Sequence, residues 1–485
     1  VHLGTEGFLE HASQALHDAP LQQALQRLTE NFTPRRLEAM AALGNAEALR
    51  TQARAIKEQA IERLDEYLEL FARRLEQAGG QVHWATDATE ARQIIARIAR
   101  ATQARVIVKG KSMATEEIHL NPFLEEQGCE VLETDLGEYI IQLANETPSH
   151  IIAPAIHKTR QQIAHLFHER LQTPYTEVVP EMTQIARRKL RDGFLQADMG
   201  ITGANFAIAE TGSIVLVTNE GNGRLCSTLP RVHVALMGLE KVIPRLVDLA
   251  VMLKVLTNSA TGQKISSYVT MITGPRRAHD LDGPEQLHVV IMDNGRSAML
   301  RSENREALYC LRCGACLNVC PIYQNIGGHA YGWVYPGPIG SVLTPMFLGL
   351  ETAQHLPRAS TLCGACREAC PVKINIPRML LNLRHQLVER QDVPWSERLL
   401  FRLWAFIMQR PRLYELATTT AAVAQKLVAR RGWIGRLPAP FAGWTATRDF
   451  KAVSPTSFRR RWRVSLQHQV SARTASVTPG ETRGE

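Results

Sequence analysis

No stretch of this 485-residue chain comes close to the ~20 consecutive apolar residues that a membrane-spanning helix needs. The most hydrophobic stretches, residues 399–408 and 247–256, are short and broken by charge. A helical membrane protein is therefore not expected, although peripheral membrane contact stays open. No G-x-G-x-x-G stands in a strand–turn–helix context, so no flavin or nicotinamide site is expected. The phosphate-loop motif is missing too, because Lys109-Gly110-Lys111-Ser112 lacks its upstream glycine. His157, His279 and His288 are scattered without metal-ligand spacing and read as structural. No secretory signal precedes the first predicted helix. No internal repeat is visible apart from two cysteine runs.

Those runs hold all but two of the nine cysteines. The first is Cys310-Leu-Arg-Cys313-Gly-Ala-Cys316-Leu-Asn-Val-Cys320-Pro321, which matches the C-x2-C-x2-C-x3-C-P spacing of bacterial two-cluster ferredoxins. The second, Cys363-Gly-Ala-Cys366-Arg-Glu-Ala-Cys370-Pro371, repeats the pattern with Ser360 where its first cysteine would stand. In this pattern three thiolates curl around one cubane cluster and the fourth reaches the other. Cys310, Cys313, Cys316 and Cys370 are thus assigned to cluster one, and Cys320, Cys363 and Cys366 to cluster two. Zinc sites generally use two ligand pairs rather than a quartet with a trailing Cys-Pro. A disulfide framework belongs to small secreted chains. Both clusters are read as 4Fe-4S. The missing ligand leaves three alternatives for the second: a 3Fe-4S form, a four-iron form with oxygen, water or substrate on one iron, or a completing residue such as Ser360, Thr361 or a partner's side chain. Thiolate clusters and the lack of disulfide logic favour a cytoplasmic location. Of the other two cysteines, Cys129 reads as a small buried apolar residue, and Cys226 as that or as a spare cluster ligand.

Length and an ordinary composition (45% hydrophobic, 21% charged) predict two or three globular domains. Residues 1–80 read as a helical region. Within it Thr33-Pro34 is expected to break and restart a helix, and Leu64, Tyr67, Leu68, Phe71 and Leu75 form one apolar face closed by Gly79-Gly80. Across 81–300, short apolar runs at 105–109, 129–133, 150–153, 213–218, 232–236, 269–273 and 287–292 predict buried strands. Helices at 88–101, 154–168 and 239–256 lie between several of them. That alternation predicts a mostly parallel α/β sheet covered on both faces. Residues 301–390 form the cysteine module, with a helix starting at Pro377. Residues 391–470 form a helical region containing Trp395, Trp404, Trp433 and Trp444, broken at Pro411 and Pro438. Residues 471–485 read as a disordered tail. The net charge of +9 is partly concentrated around Trp462 in Arg459, Arg460, Arg461 and Arg463. A solvated tail is favoured over nucleic-acid binding there.

Ligands of open α/β sheets sit at the carboxyl ends of strands. By that rule Lys109, Lys111, Asn219 and Arg224 are candidates to meet around a carboxylate or phosphate, with Glu210 turned into the same cleft. The competing reading makes them turn residues and surface charge.

The segments GITGANFAIAETGSIVLVTNEGNGR, ITGPRRAHDLDGPEQLHVVIMDNGRS, CLRCGACLNVCPIY and LCGACREACPVKINIP, in this order, resemble the lactate-utilization iron–sulfur protein B family over nearly the whole chain. The resemblance implies a LUD-type α/β domain akin to the sugar-isomerase and CoA-transferase superfamily. It also implies an all-α ferredoxin-like module with two four-iron clusters on the seven cysteines above. The helical module resembles the iron–sulfur subunit of succinate dehydrogenase as well, where a three-cysteine site holds a three-iron cluster. The family implies action with two partners encoded beside it, a Cys-rich subunit and a second LUD-domain protein, in oxidising L-lactate to pyruvate. Two rival readings are electron transfer for another 2-hydroxy acid such as glycolate, and a redox- or anion-sensing regulatory module.

Overall fold

The computed structural model describes residues 4–390, 395–439, 441–446, 448–454 and 456–463. The main sheet has six strands: β1 (Gln81–Ala85), β2 (Val106–Lys109), β3 (Glu130–Glu133), β4 (Met199–Thr202), β7 (Val232–Gly238) and β10 (Gln286–Met292). Their order is β1-β10-β7-β4-β2-β3, and every pairing is parallel. β4 and β7 are buried along their whole length, as near-continuous apolar strands in a two-face-covered parallel sheet must be. Alternation sorts their side chains. Val232, Val234 and Leu236 join Ile94, Ile95 and Leu124 on one face, whereas Ala235 and Met237 enter a core on the other. Helix Ala88–Ala101 covers the first face, its start fixed by Asp87 accepting from the Glu90 N–H at 2.9 Å.

A smaller sheet, absent from the sequence-based expectation, comprises β5 (Phe206–Ile208), β6 (Ser213–Thr218), β8 (Val242–Ile243) and β9 (Tyr268–Ile272), in the order β8-β5-β6-β9. The β5–β6 hairpin turns through Gly212 at φ +69°, where a Cβ would stand 2.4 Å from the Leu75 nitrogen. Glycine is therefore required both for its conformation and for the close approach of the N-terminal helices.

Four expectations need correction. Helix Ala19–Ala42 runs unbroken through Pro34, because the proline ring lies on the exposed side while Leu25, Leu28, Ala39 and Met40 hold the buried side. Residues 239–243 are not α-helical. Leu239–Lys241 is a 3-10 turn leading into β8, and the helix begins only at Leu246, after Pro244, where Asp248 accepts from the Arg245 N–H at 3.1 Å. Residues 150–153 form no strand. They are a loop whose polar backbone is satisfied by a side chain: His150 Nδ1 accepts from the N–H groups of Ile152 and Ala153 at 3.1 and 3.2 Å. The following helix is Arg160–Leu171, opened by a Thr159–Gln162 capping box rather than at Pro154.

The chain divides into two compact units, Val1–Arg390 and Gln391–Glu485. In the first, the N-terminal helices grip the cysteine module. The Arg36 guanidinium donates to the Ala369 carbonyl at 2.8 Å, and that of Arg50 to the Cys370 carbonyl at 2.9 Å. Helix Ile376–Glu389 carries Pro377 in its first turn. The second unit contains helices Trp395–Met408 and Pro411–Ala424 and a short antiparallel pair, Trp433–Ile434 with Phe450–Lys451. No described helix is long and apolar enough to cross a membrane. The expected tail at 471–485 lies outside the described residues.

Candidate cluster and ligand site

The two cysteine runs adopt the same local backbone. Arg312 and Leu362, each preceding a cysteine, both have positive φ (60° and 56°), as do Gly314 and Gly364 (73° and 87°). Each run then enters a short helix, Ala315–Asn318 or Ala365–Ala369. In the first run the Arg312 N–H donates to Cys310 Sγ at 3.4 Å, and in the second the Leu362 N–H donates to Ser360 Oγ at 3.1 Å. The serine hydroxyl therefore occupies the structural place of the first cysteine's sulfur.

Cys310, Cys313, Cys316 and Cys370 line one small cavity, closed by Ile151, Ile339 and Ile374. The Cys320, Cys363 and Cys366 thiols interact electrostatically with one another. The sets adjoin, since Cys316 also feels Cys366. Burial pushes the Cys313 thiol up to about 12, reinforced by Cys310 and Cys370, and Cys370 up to about 11. Four cysteines converging on one cavity fit an iron–sulfur cluster, whose positive irons would favour the thiolate forms against this upward push. Cys363 differs. It is exposed, and N–H donation from Ala365 together with the Thr361 hydroxyl lowers its thiol.

A cationic shell surrounds the first set. Arg36 lies near Cys313 and Cys370, and Lys57, Lys241 and Arg312 lie near Cys310. It is tied to a buried charge network. Arg296 donates to both oxygens of Glu117 at 2.8 Å and to Glu240 at 2.6 Å, Tyr335 donates to Glu117 at 2.8 Å, and Arg312 reaches Glu240 at 3.4 Å. Burial opposes ionisation of Glu240, yet Arg296, Arg312 and Lys241 outweigh it and hold the carboxyl down to about 2. Lys57 donates to the Glu240 and Val242 carbonyls, and burial lowers its ammonium to about 7. Removing one partner from so buried a pair as Arg296–Glu117 costs about 3–5 kcal/mol.

A cavity of about 320 Å³ opens at the carboxyl ends of β2, β4 and β7, at Gly110, Thr202 and Gly238. Of the five residues expected there, Lys111 and Asn219 line it. Asn219 is already engaged, donating to Gln263 at 2.8 Å and accepting from the Ser267 N–H at 3.2 Å. The other three do not line it. Lys109 is fully buried beneath the cavity, held by Glu133 at 2.7 Å and Glu116 at 2.9 Å. Glu210 accepts from the Leu246 N–H at 2.8 Å and thus caps a helix start. Arg224 is exposed on helix Asn222–Thr228 and does not line the cavity. Cys226 is buried against Thr134 at 3.3 Å, within the Lys109–Glu133 environment, and is no spare ligand.

Sequence reading missed Glu240, Lys241, Arg296 and Arg312. Glu240 and Lys241 follow the end of β7, the position that the strand-end rule marks, but in sequence residues 239–256 read as one helix. Arg296 follows the Asn294-Gly295 turn and carried no local signal. The structure also brings His157 and His329 together with Glu146. That carboxylate is already bound by His157 and Lys158.

Three family models match the chain in sequence: the LUD domain over residues 68–292, a 4Fe-4S dicluster domain over 306–374, and the lactate utilisation protein B C-terminal region over 384–467. The chain is similar to Lactate utilization protein B of Bacillus velezensis and of Bacillus licheniformis, at 46% identity over 459 residues in each case, covering 94% of this chain and 96% of each relative. With the Bacillus subtilis protein of the same name the identity is 45% over the same coverage.

Proposed function

Because this chain belongs to the lactate utilization protein B family, we propose that it is the two-cluster electron carrier of a system oxidising L-lactate to pyruvate. The observation that carries this reading is the convergence of Cys310, Cys313, Cys316 and Cys370 on one cavity, adjoining the Cys320, Cys363 and Cys366 set. Each cluster, when bound, passes one electron at a time, which suits two in series to a two-electron oxidation.

The quartet serves as thiolate ligands of the first 4Fe-4S cluster. Cys320, Cys363 and Cys366 hold the second, also 4Fe-4S, with Ser360 as fourth ligand. The support for Ser360 is that its hydroxyl stands where Cys310 Sγ stands in the other run. Backbone N–H donation to sulfur from Arg312 and Ile374 favours the charged thiolate forms of Cys310 and Cys370. The two partners are a Cys-rich subunit and a second LUD-domain protein. The exposed Trp395, Phe401 and Trp404 of helix Trp395–Met408 offer an apolar surface to a partner.

The test is EPR of the cluster-loaded protein given L-lactate, with and without the two partners. Reduction by lactate in the complete system is expected. Its absence there, with clusters intact, overturns the reading. Faster reduction by glycolate moves the substrate to another 2-hydroxy acid.

A further inference from the structure

The cavity at the strand ends and the cavity of the first cysteine quartet share a wall. Ile151, Leu311 and Arg312 line both. Leu311 and Arg312 are the two residues between Cys310 and Cys313, so any occupant of the larger cavity stands one residue layer from those sulfurs. The second set has no such neighbour: Cys320, Cys363, Cys366 and Ser360 do not line the larger cavity.

Several polar groups there lack partners. Arg312 is only 8% exposed, and its Nε and Nη1 have no acceptor. Asn222, 6% exposed and also in the lining, has no donor to its Oδ1. Buried polar groups are almost always satisfied, and orphans that share one cavity imply a ligand that satisfies them. Lys111 and Lys241 line the same cavity, and neither ammonium makes a hydrogen bond or a close ion pair among the described residues.

The wall also limits the charge that can enter. Asp135 and Glu220 line the cavity and attract the Lys111 ammonium, and Glu240 is engaged by Arg296 and Arg312. Two lysines and one half-used guanidinium set against these carboxylates suit a single negative charge better than a phosphate dianion. The unpaired Asn222 oxygen asks for a hydroxyl donor.

We propose that this cavity binds a small 2-hydroxy carboxylate through Lys111, Lys241 and Arg312, with Asn222 receiving its hydroxyl, and that the bound molecule sits beside the first cluster and not the second. Arg312 is a ligand-binding residue that also lies near Cys310. The inference deepens the functional reading above and rests on it for the cluster. It assigns the ligand to the fully cysteine-ligated site, although the incomplete ligand set of the second site makes that site the more obvious candidate.

The experiment uses the full-length, cluster-loaded protein without partners. Calorimetric titration with L-lactate and, separately, with inorganic phosphate measures binding. EPR records each cluster's signal with and without lactate, and iron and acid-labile sulfide are assayed in parallel. Saturable lactate binding is expected, at least tenfold tighter than phosphate. Lactate should perturb the first cluster's signal and leave the second unchanged. Lys241→Met and Lys111→Met, on separate segments, should each weaken binding about tenfold or more while retaining iron, and so should Arg312→Gln. Loaded protein that binds no lactate, binds phosphate as well as lactate, or keeps full affinity in both lysine variants overturns the proposal. A perturbation confined to the second cluster also overturns it. Lactate binding by a protein that holds no iron under any reconstitution supports the cavity and sinks the electron-carrier reading instead, so the two failures are distinguishable.

Discussion

The two cysteine runs share a backbone and differ in nearly everything around it. The first is largely buried, supplies three sulfurs to its own cavity and has Arg36, Lys57, Lys241 and Arg312 around it. The second carries Ser360 in place of the first sulfur, Leu362 in place of Arg312, and an exposed Cys363. Positive charge and hydrogen bonds near a cluster raise its potential, as does access of water. The first site is set apart by buried cations beside its sulfurs and the second by an exposed cysteine. A repeated motif thus sets ligand geometry, and the residues between and behind the ligands differentiate the two sites.

Removing a sulfur breaks the comparison most severely. Cys316→Ala removes a proposed ligand from the enclosed cavity, and about half the iron should be lost together with much of the stability, because that side chain is buried in the main core. Cys363→Ala should lose a similar share of iron with a smaller fall in unfolding midpoint, since that residue is exposed. Iron analysis and urea unfolding of the two variants check this, and equal midpoints would contradict the contrast.

A subtler change makes the runs alike. Ser360→Cys is expected to stabilise the second cluster as a four-iron form under air, and Ser360→Ala to yield a three-iron EPR signal in the oxidised protein. No difference among serine, alanine and cysteine at this position would remove Ser360 from the ligand set.

The smallest expected effect concerns the loop that backs the first run alone. His150 packs against Gly314, where a Cβ would lie 3.0 Å from its ring, and its Nε2 meets Asn318 at 3.0 Å. Burial lowers its pKa to about 3. The unfolded chain takes up a proton near pH 6.5 and the native state does not, so this contribution is complete above pH 6.5 and declines as pH falls toward 3. The slope is about 1.4 kcal/mol per pH unit for a fully buried group. Unfolding free energies at pH 7 and 5 should differ by about 2 kcal/mol more for the wild type than for His150→Gln. An unchanged difference would show that another group governs acid sensitivity.

Much of this architecture is legible locally. Strands β2, β6, β7 and β10 announce themselves as apolar runs, since a strand largely covered on both faces has little room for polar residues. The loop at 150–153 misled for the same reason. It is as apolar as a strand, but its apolarity serves the wall between two cavities. Glu210 and Arg224 looked like site residues because they flank strand ends, yet one caps a helix and the other faces solvent.

Cysteine spacing, the parallel sheet and the order of domains follow from the sequence alone, because each is written in residues close together in the chain. Which residues share the strand-end cavity does not. Lys111, Asn222, Lys241 and Arg312 come from four separate segments, and the pairing that neutralises Lys109 while leaving Lys111 unpaired depends on side chains brought near only by folding. Charge and hydrogen-bond satisfaction are settled by neighbours in space, so only the tertiary structure decides which polar residues are spent on the fold and which stay available to a ligand.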